Sequence, residues 1–141
     1  MFSDIINYFE TIPKDKYIHL SSFFSFSSKK RLKVASFGQN SIYKGKIASI
    51  HAEINALNKI NYKDSKKIIP YNLISLRFSK TNQLGNSRPC YHCLIKLKKS
   101  KINIKYVYYS DNDGNIIMEK FNDMIETLNF SIISSGYRYK N

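Results

Sequence analysis

Apolar residues recur along this chain in two rhythms, and the switches between them outline its elements. The clearest helical spacing spans Ile50–Ile60, where Ile50, Ile54, Leu57 and Ile60 fall on one side and Asn55, Asn58 and Lys59 face out. Phe121–Leu128 repeats the rhythm with Phe121, Met124, Ile125 and Leu128. Pro89 suits the first position of a further helix running through Cys93, Leu94 and Leu97 to about Ser100. Lys14–Ser27 also reads as a helix, with Ile18, Phe23 and Phe26 on its core side, although its serines and aromatics fit that state poorly. Extended rhythm marks Arg31–Phe37, with Leu32, Val34 and Ala35 inside, and Ser41–Lys46, which returns after a turn at Gly38–Asn40. Tyr71–Phe78 is apolar and β-prone enough for a buried strand, and Ile104–Tyr109 is another. Asn112-Asp113-Gly114 then predicts a hairpin turn into Asn115–Glu119. The loop after the first helical stretch carries Lys63, Lys66 and Lys67; Ser79–Arg88 is a polar loop; Phe130–Tyr139 holds a last short strand. Strands alternating with helices imply an α/β protein, a sheet sandwiched between helical layers.

Composition narrows this picture. At 141 residues, 43% hydrophobic and 14% aromatic, the chain is expected to be a single domain over residues 1–141 with a core of ordinary size. The formal net charge is +13, almost all from lysine, with arginine only at Arg31, Arg77, Arg88 and Arg138. Such a balance attracts phosphate, whether on a nucleotide or a polynucleotide; it is equally what AT-rich coding produces. Met1–Glu10 carries Asp4 and Glu10 and no basic run, so no signal peptide is expected. The most apolar stretch, Tyr17–Phe26, is far shorter than the roughly 20 residues that span a bilayer. The expectation is a cytoplasmic protein with no membrane partner.

The two cysteines, Cys90 and Cys93, are three residues apart, which fits metal or redox chemistry better than a disulfide framework. His51-Ala52-Glu53 opens one predicted helix and Pro89-Cys90-Tyr91-His92-Cys93 opens the next. Together they match the zinc deaminase pattern H-x-E…P-C-x-x-C. Two thiolates and an imidazole make three zinc ligands, and a catalytic zinc keeps its fourth position for water. Glu53, two residues from a ligand, is placed to move protons. Three other readings stand beside this one. The cysteines would form a redox couple; they would be half of a structural site that His19 completes; or His19 is an ordinary surface or core histidine. His92, between the cysteines, is expected to point away from the metal.

These residues resemble the cytidine and deoxycytidylate deaminase superfamily. Ser49-Ile50-His51-Ala52-Glu53-Ile54-Asn55-Ala56-Leu57 is similar to the His-Ala-Glu helix of deoxycytidylate and tRNA adenosine deaminases, and Gly38-Gln39-Asn40 resembles the Gly-x-Asn turn before it. The similarity covers about Leu32 to Asp111. It implies a three-layer α/β/α fold, a central mixed sheet of about five strands, and bound Zn2+. It also implies a substrate site drawn from Asn40 at the sugar, Ala52, and Ser87 and Arg88 ahead of the cysteines. Tyr108 or Tyr109 would line the base pocket, Tyr109 being the preferred choice. The hairpin after Tyr109 resembles the branch whose last two strands run antiparallel.

The implied reaction is hydrolytic removal of the amine of cytosine in a free nucleoside or nucleotide. Deamination of a base in RNA or single-stranded DNA is the alternative, with Lys29, Lys30, Arg31, Lys33, Lys96, Lys98, Lys99 and Lys101 as its basic surface. A zinc-stabilised binding module without turnover is the third possibility. The resemblance further implies self-association into dimers or tetramers.

Overall fold

A computed structural model describes residues 2–14, 17–27, 29–42, 49–60 and 70–128. The order is α1 (Ser3–Thr11), β1 (Ile18–Phe26), β2 (Leu32–Gln39), β3 (Ser41–Ile42), β4 (Ser49–Ile50), α2 (Ala52–Asn58), β5 (Tyr71–Phe78), β6 (Leu84–Gly85), α3 (Tyr91–Lys99), β7 (Ile104–Ser110), β8 (Ile116–Lys120) and α4 (Phe121–Glu126). The main sheet runs β2-β1-β5-β7-β8, with β6 paired to β5. It is mixed: β5 and β7 are parallel across the α3 crossover, and every other pair is antiparallel. β3 and β4 form a separate antiparallel ladder that leads into His51.

Alternation along the central strands divides the core in two. Leu20, Phe24, Ile74, Leu76 and Phe78 pack against Ile5 and Phe9 of α1. Phe23, Leu73, Val107 and Tyr109 pack on the opposite face against Ile54 and Leu57 of α2, Cys93, Leu94 and Leu97 of α3, and Phe121 and Met124 of α4. The result is the three-layer α/β/α arrangement expected, with one helix on one side and three on the other. The helices over Ile50–Ile60, Pro89–Ser100 and Phe121–Leu128, the strands over Tyr71–Phe78 and Ile104–Tyr109, and the final hairpin all occur where the pattern places them, within a residue or two at most ends. α3 starts two residues later than expected, at Tyr91, with Cys90 as its N-cap and Pro89 before it. Gly114 adopts φ +82° in the hairpin turn, a conformation that suits a residue without Cβ. Asp111 accepts bonds from the backbone N–H of Asp113 and Asn115, which hold its carboxyl below the usual range.

Several expectations change. Lys14–Ser27 is not a helix: Ile18–Phe26 is β1, buried on both faces between β2 and β5, and burial against two strands outweighs the helical spacing of Ile18, Phe23 and Phe26. α1 goes beyond the expected set. Val34 is exposed rather than inside, because β2 is an edge strand. A bulge places Ala35 between the pairs Phe24–Val34 and Phe23–Ser36, so the side facing the helices shifts from odd to even positions. Gly38 belongs to β2 and not to a turn. Asn55 does not simply face out; its Oδ1 accepts from the backbone N–H of Gln39 at 3.1 Å. Of Ser41–Lys46, the described part is strand; the remainder, the Lys63–Lys67 loop and Phe130–Tyr139 lie outside the described residues.

The tightest packing joins β2 to α2. A Cβ on Gly38 would stand 2.3 Å from both Ala52 O and Ala56 N, all backbone, so no rotamer change relieves it. Gly38→Ala is therefore expected to cost about 1–3 kcal/mol as an overpacked contact. A urea titration checks this, and unchanged stability would mean that the two backbones are not in contact.

Candidate metal centre

α2 and α3 dock side by side on one face of the sheet, and each begins with a metal-ligand residue type. His51 caps α2 and Cys90 caps α3; Cys93 lies in the first turn of α3, fully buried. The ligand atoms of His51, Cys90 and Cys93 lie within 4.8 Å of one another. His51 Nδ1 is 3.6 Å from Cys90 Sγ and 3.2 Å from Cys93 Sγ. Tetrahedral zinc, with bonds of about 2.3 Å to sulfur and about 2.0 Å to nitrogen, sets such atoms roughly 3.5 Å apart. The three side chains thus fit a zinc ion with little rearrangement. Neither His19 nor His92 belongs to this group; His92 packs edge-on against Tyr91.

The three ligand residues perturb one another's protonation. The Cys90 thiol is held far below its usual range, at about 4, by a hydrogen bond from Cys93 and another from His51. The same thiolate, with burial and the nearby Glu53 carboxylate, pushes the Cys93 thiol up. The His51 imidazole is raised by its bond to Cys90.

Glu53 sits in the same turn as His51, only 2% exposed. Its Oε1 accepts a 2.6 Å bond from Ser75 Oγ–H, and Ser75 Oγ accepts at 2.9 Å from Ser21 Oγ–H. Its Oε2 lies 3.7 Å from Cys93 Sγ. A carboxylate is thus held beside the ligand set by a buried line of hydroxyls. Ser75 and Ser21 escape the motif reading, though each is a polar residue within a buried β-run.

The expected substrate residues separate. Asn40, half-buried at the end of β2, accepts a bond from His19 N–H through Oδ1 at 2.9 Å. Ala52 is buried, its carbonyl directed at Gly38. Ser87 is fully buried: its hydroxyl donates to Ser75 O at 2.7 Å and its backbone N–H to Ser110 O at 2.9 Å. Arg88 Nε pairs with Glu119 Oε2 at 3.0 Å, and Tyr109 O–H donates to the same oxygen at 2.6 Å. Burial and that bond push the Tyr109 hydroxyl up to about 12. Arg88 and Tyr109 are thereby tied together by Glu119, which the motif reading did not include. Tyr108 lies on the other face, 4.8 Å from the ring of Phe2. Arg77 is exposed and stands over the Tyr17 ring.

Two outcomes follow. Because bound cysteines are deprotonated, zinc affinity is expected to fall as pH drops from 8 to 6, about tenfold per unit for each proton displaced. Chelator competition reads the affinity, and a pH-independent value would contradict the ligand set. Ser75→Ala is expected to lower stability by about 1.5–3 kcal/mol while zinc content stays stoichiometric, since a buried carboxylate loses its donor. Chemical denaturation alongside metal analysis checks both parts. No family model and no curated protein matches the chain.

Proposed function

We propose that this chain is a zinc-dependent hydrolytic deaminase of the cytidine and deoxycytidylate deaminase superfamily, acting on cytosine in a free nucleoside or nucleotide. The observation that carries this reading is a buried carboxylate, Glu53, fixed beside three converging zinc ligands. A structural zinc site is satisfied by four protein ligands; among the described residues three converge. A redox pair or an inert scaffold gives a buried proton carrier at that place no task.

Zinc held by His51, Cys90 and Cys93 supplies a water acidified to a pKa of about 7. Glu53 would carry a proton between water and the ring nitrogen beside the amine-bearing carbon. A second transfer through the same carboxylate releases the amine as ammonia. Water enters, ammonia leaves, and the exocyclic amine becomes a carbonyl. Ser75 holds one oxygen of Glu53, which keeps the other directed toward the ligand set.

The placement of the lysines favours a small substrate over a polynucleotide. Lys29, Lys30, Arg31 and Lys33 flank the far end of the β1–β2 hairpin, and Phe26 lies about 23 Å along β1 from His19. Lys96, Lys98 and Lys99 crowd the last turn of α3, where they complement the helix dipole; Lys96, one turn past Cys93, also acts electrostatically on His51. The cluster at the β1–β2 turn thus lies well away from the ligand set.

Ammonia release from cytosine, cytidine, dCMP, single-stranded DNA and RNA, measured on the zinc-loaded chain, tests the proposal; no release from any of them would end it. Glu53→Gln is expected to keep zinc and lose at least about 100-fold in turnover. Cys90→Ala is expected to lose the metal. Full activity in either variant would remove the residue from its role.

A further inference from the structure

The helix-covered face that carries Glu53 holds one more nitrogen, which the chemistry above does not use. His19 shares its side of β1 with Ser21 and Phe23, the side packed by α2 and α3. Its Nε2 is buried and meets no hydrogen-bond partner among the described residues. Glu53, His51 and Cys90 all act electrostatically on this ring, yet His19 lies outside the converging ligand group. A dry, unpaired imidazole nitrogen is unfavourable, and native structures retain few such groups without a reason. Beside a ligand set, a bound molecule that supplies the missing partner is such a reason.

Asn40 indicates what that partner is. Its Oδ1 accepts from His19 N–H at 2.9 Å, and its backbone N–H donates to His19 O at 3.1 Å. These bonds lock the two residues together, and one of them uses a lone pair of the carboxamide oxygen. The amide nitrogen that remains is a donor only. Burial lowers the pKa of the ring, against the nearby Glu53 carboxylate, which raises it. A neutral imidazole offers one donor and one acceptor nitrogen. An amide donor beside such a ring matches a hydroxyl group, which both gives and takes a hydrogen bond.

We propose that His19 is a binding residue whose Nε2 reads a sugar hydroxyl of the nucleoside, with Asn40 as its fixed companion. This rests on the nucleobase reading above and identifies the substrate as a nucleoside or nucleotide and not a bare base. The test uses the full zinc-loaded chain carrying Glu53→Gln, so that probes are not consumed. Cytidine and 1-methylcytosine, which has a methyl where the sugar would be, are titrated by calorimetry. His19→Phe is expected to weaken cytidine about tenfold and to leave 1-methylcytosine within about twofold. His19→Leu is expected to give the same pattern and carries the test if the Phe variant does not fold. Equal losses for both probes, or no loss for cytidine, overturn the role of His19 alone. If neither probe binds before His19 is changed, and the parent chain releases no ammonia, the nucleobase reading fails and the sugar contact with it.

Discussion

At Gly38 the backbone of β2 lies against the backbone of α2, closer than any residue with a side chain permits. The metal centre is built on that contact. α2 is only seven residues long, too short to hold its shape unaided, so docking fixes it in place. Asn55 adds a second tie by accepting from Gln39 one residue along the strand. With the helix pinned at both points, His51 at its cap and Glu53 in its first turn have defined positions over the sheet. α3, arriving from β5, brings Cys90 and Cys93 to the same place.

Behind the ligands the sheet is unusually polar for a core. Ser21, Ser22, Ser75, Ser87 and Ser110 are all buried, and their hydroxyls are engaged with one another, with backbone carbonyls or with Glu53. Buried polar groups are tolerable only when satisfied, and a buried carboxylate requires donors most of all. The serines meet that need without adding charge. They also tie the loop that ends at Cys90 to β5 and β7, through the bonds of Ser87 to Ser75 and Ser110. The same hydroxyls therefore support the carboxylate and anchor the cysteine-bearing segment.

Much of this was legible in the chain. Ile54, Leu57 and Ile60, or Phe121, Met124 and Ile125, announce helices because each packs a single apolar stripe on one surface. The group of His51, Cys90 and Cys93, close enough together to hold a metal ion, was legible for a different reason: zinc chemistry restricts both residue types and spacing. β1 was not, since Ile18, Phe23 and Phe26 fit a helical spacing and only the neighbouring strands decide otherwise. The exposure of Val34 was equally hidden, because it follows from the place of β2 at the edge of the described sheet, and so was the bulge at Ala35. Ser75, Glu119 and His19 reach their partners from 10 to 54 residues away, and no local pattern encodes such pairings. The tie of Arg88 and Tyr109 to one carboxylate is of the same kind.

The bulge in β2 has a bearing on the behaviour of the molecule in a crowded solution. Among the described residues β2 is the outermost strand, and a straight, apolar edge of that kind is a template on which a second chain adds by backbone pairing. Here an extra residue breaks the ladder at mid-strand and increases its twist, while Lys33 stands exposed just before the break and Lys29 and Lys30 beyond it. An incoming strand would meet mismatched amides and concentrated like charge. Lysines that contribute nothing to the chemistry of the centre thus guard the open side of the sheet against fibrous assembly.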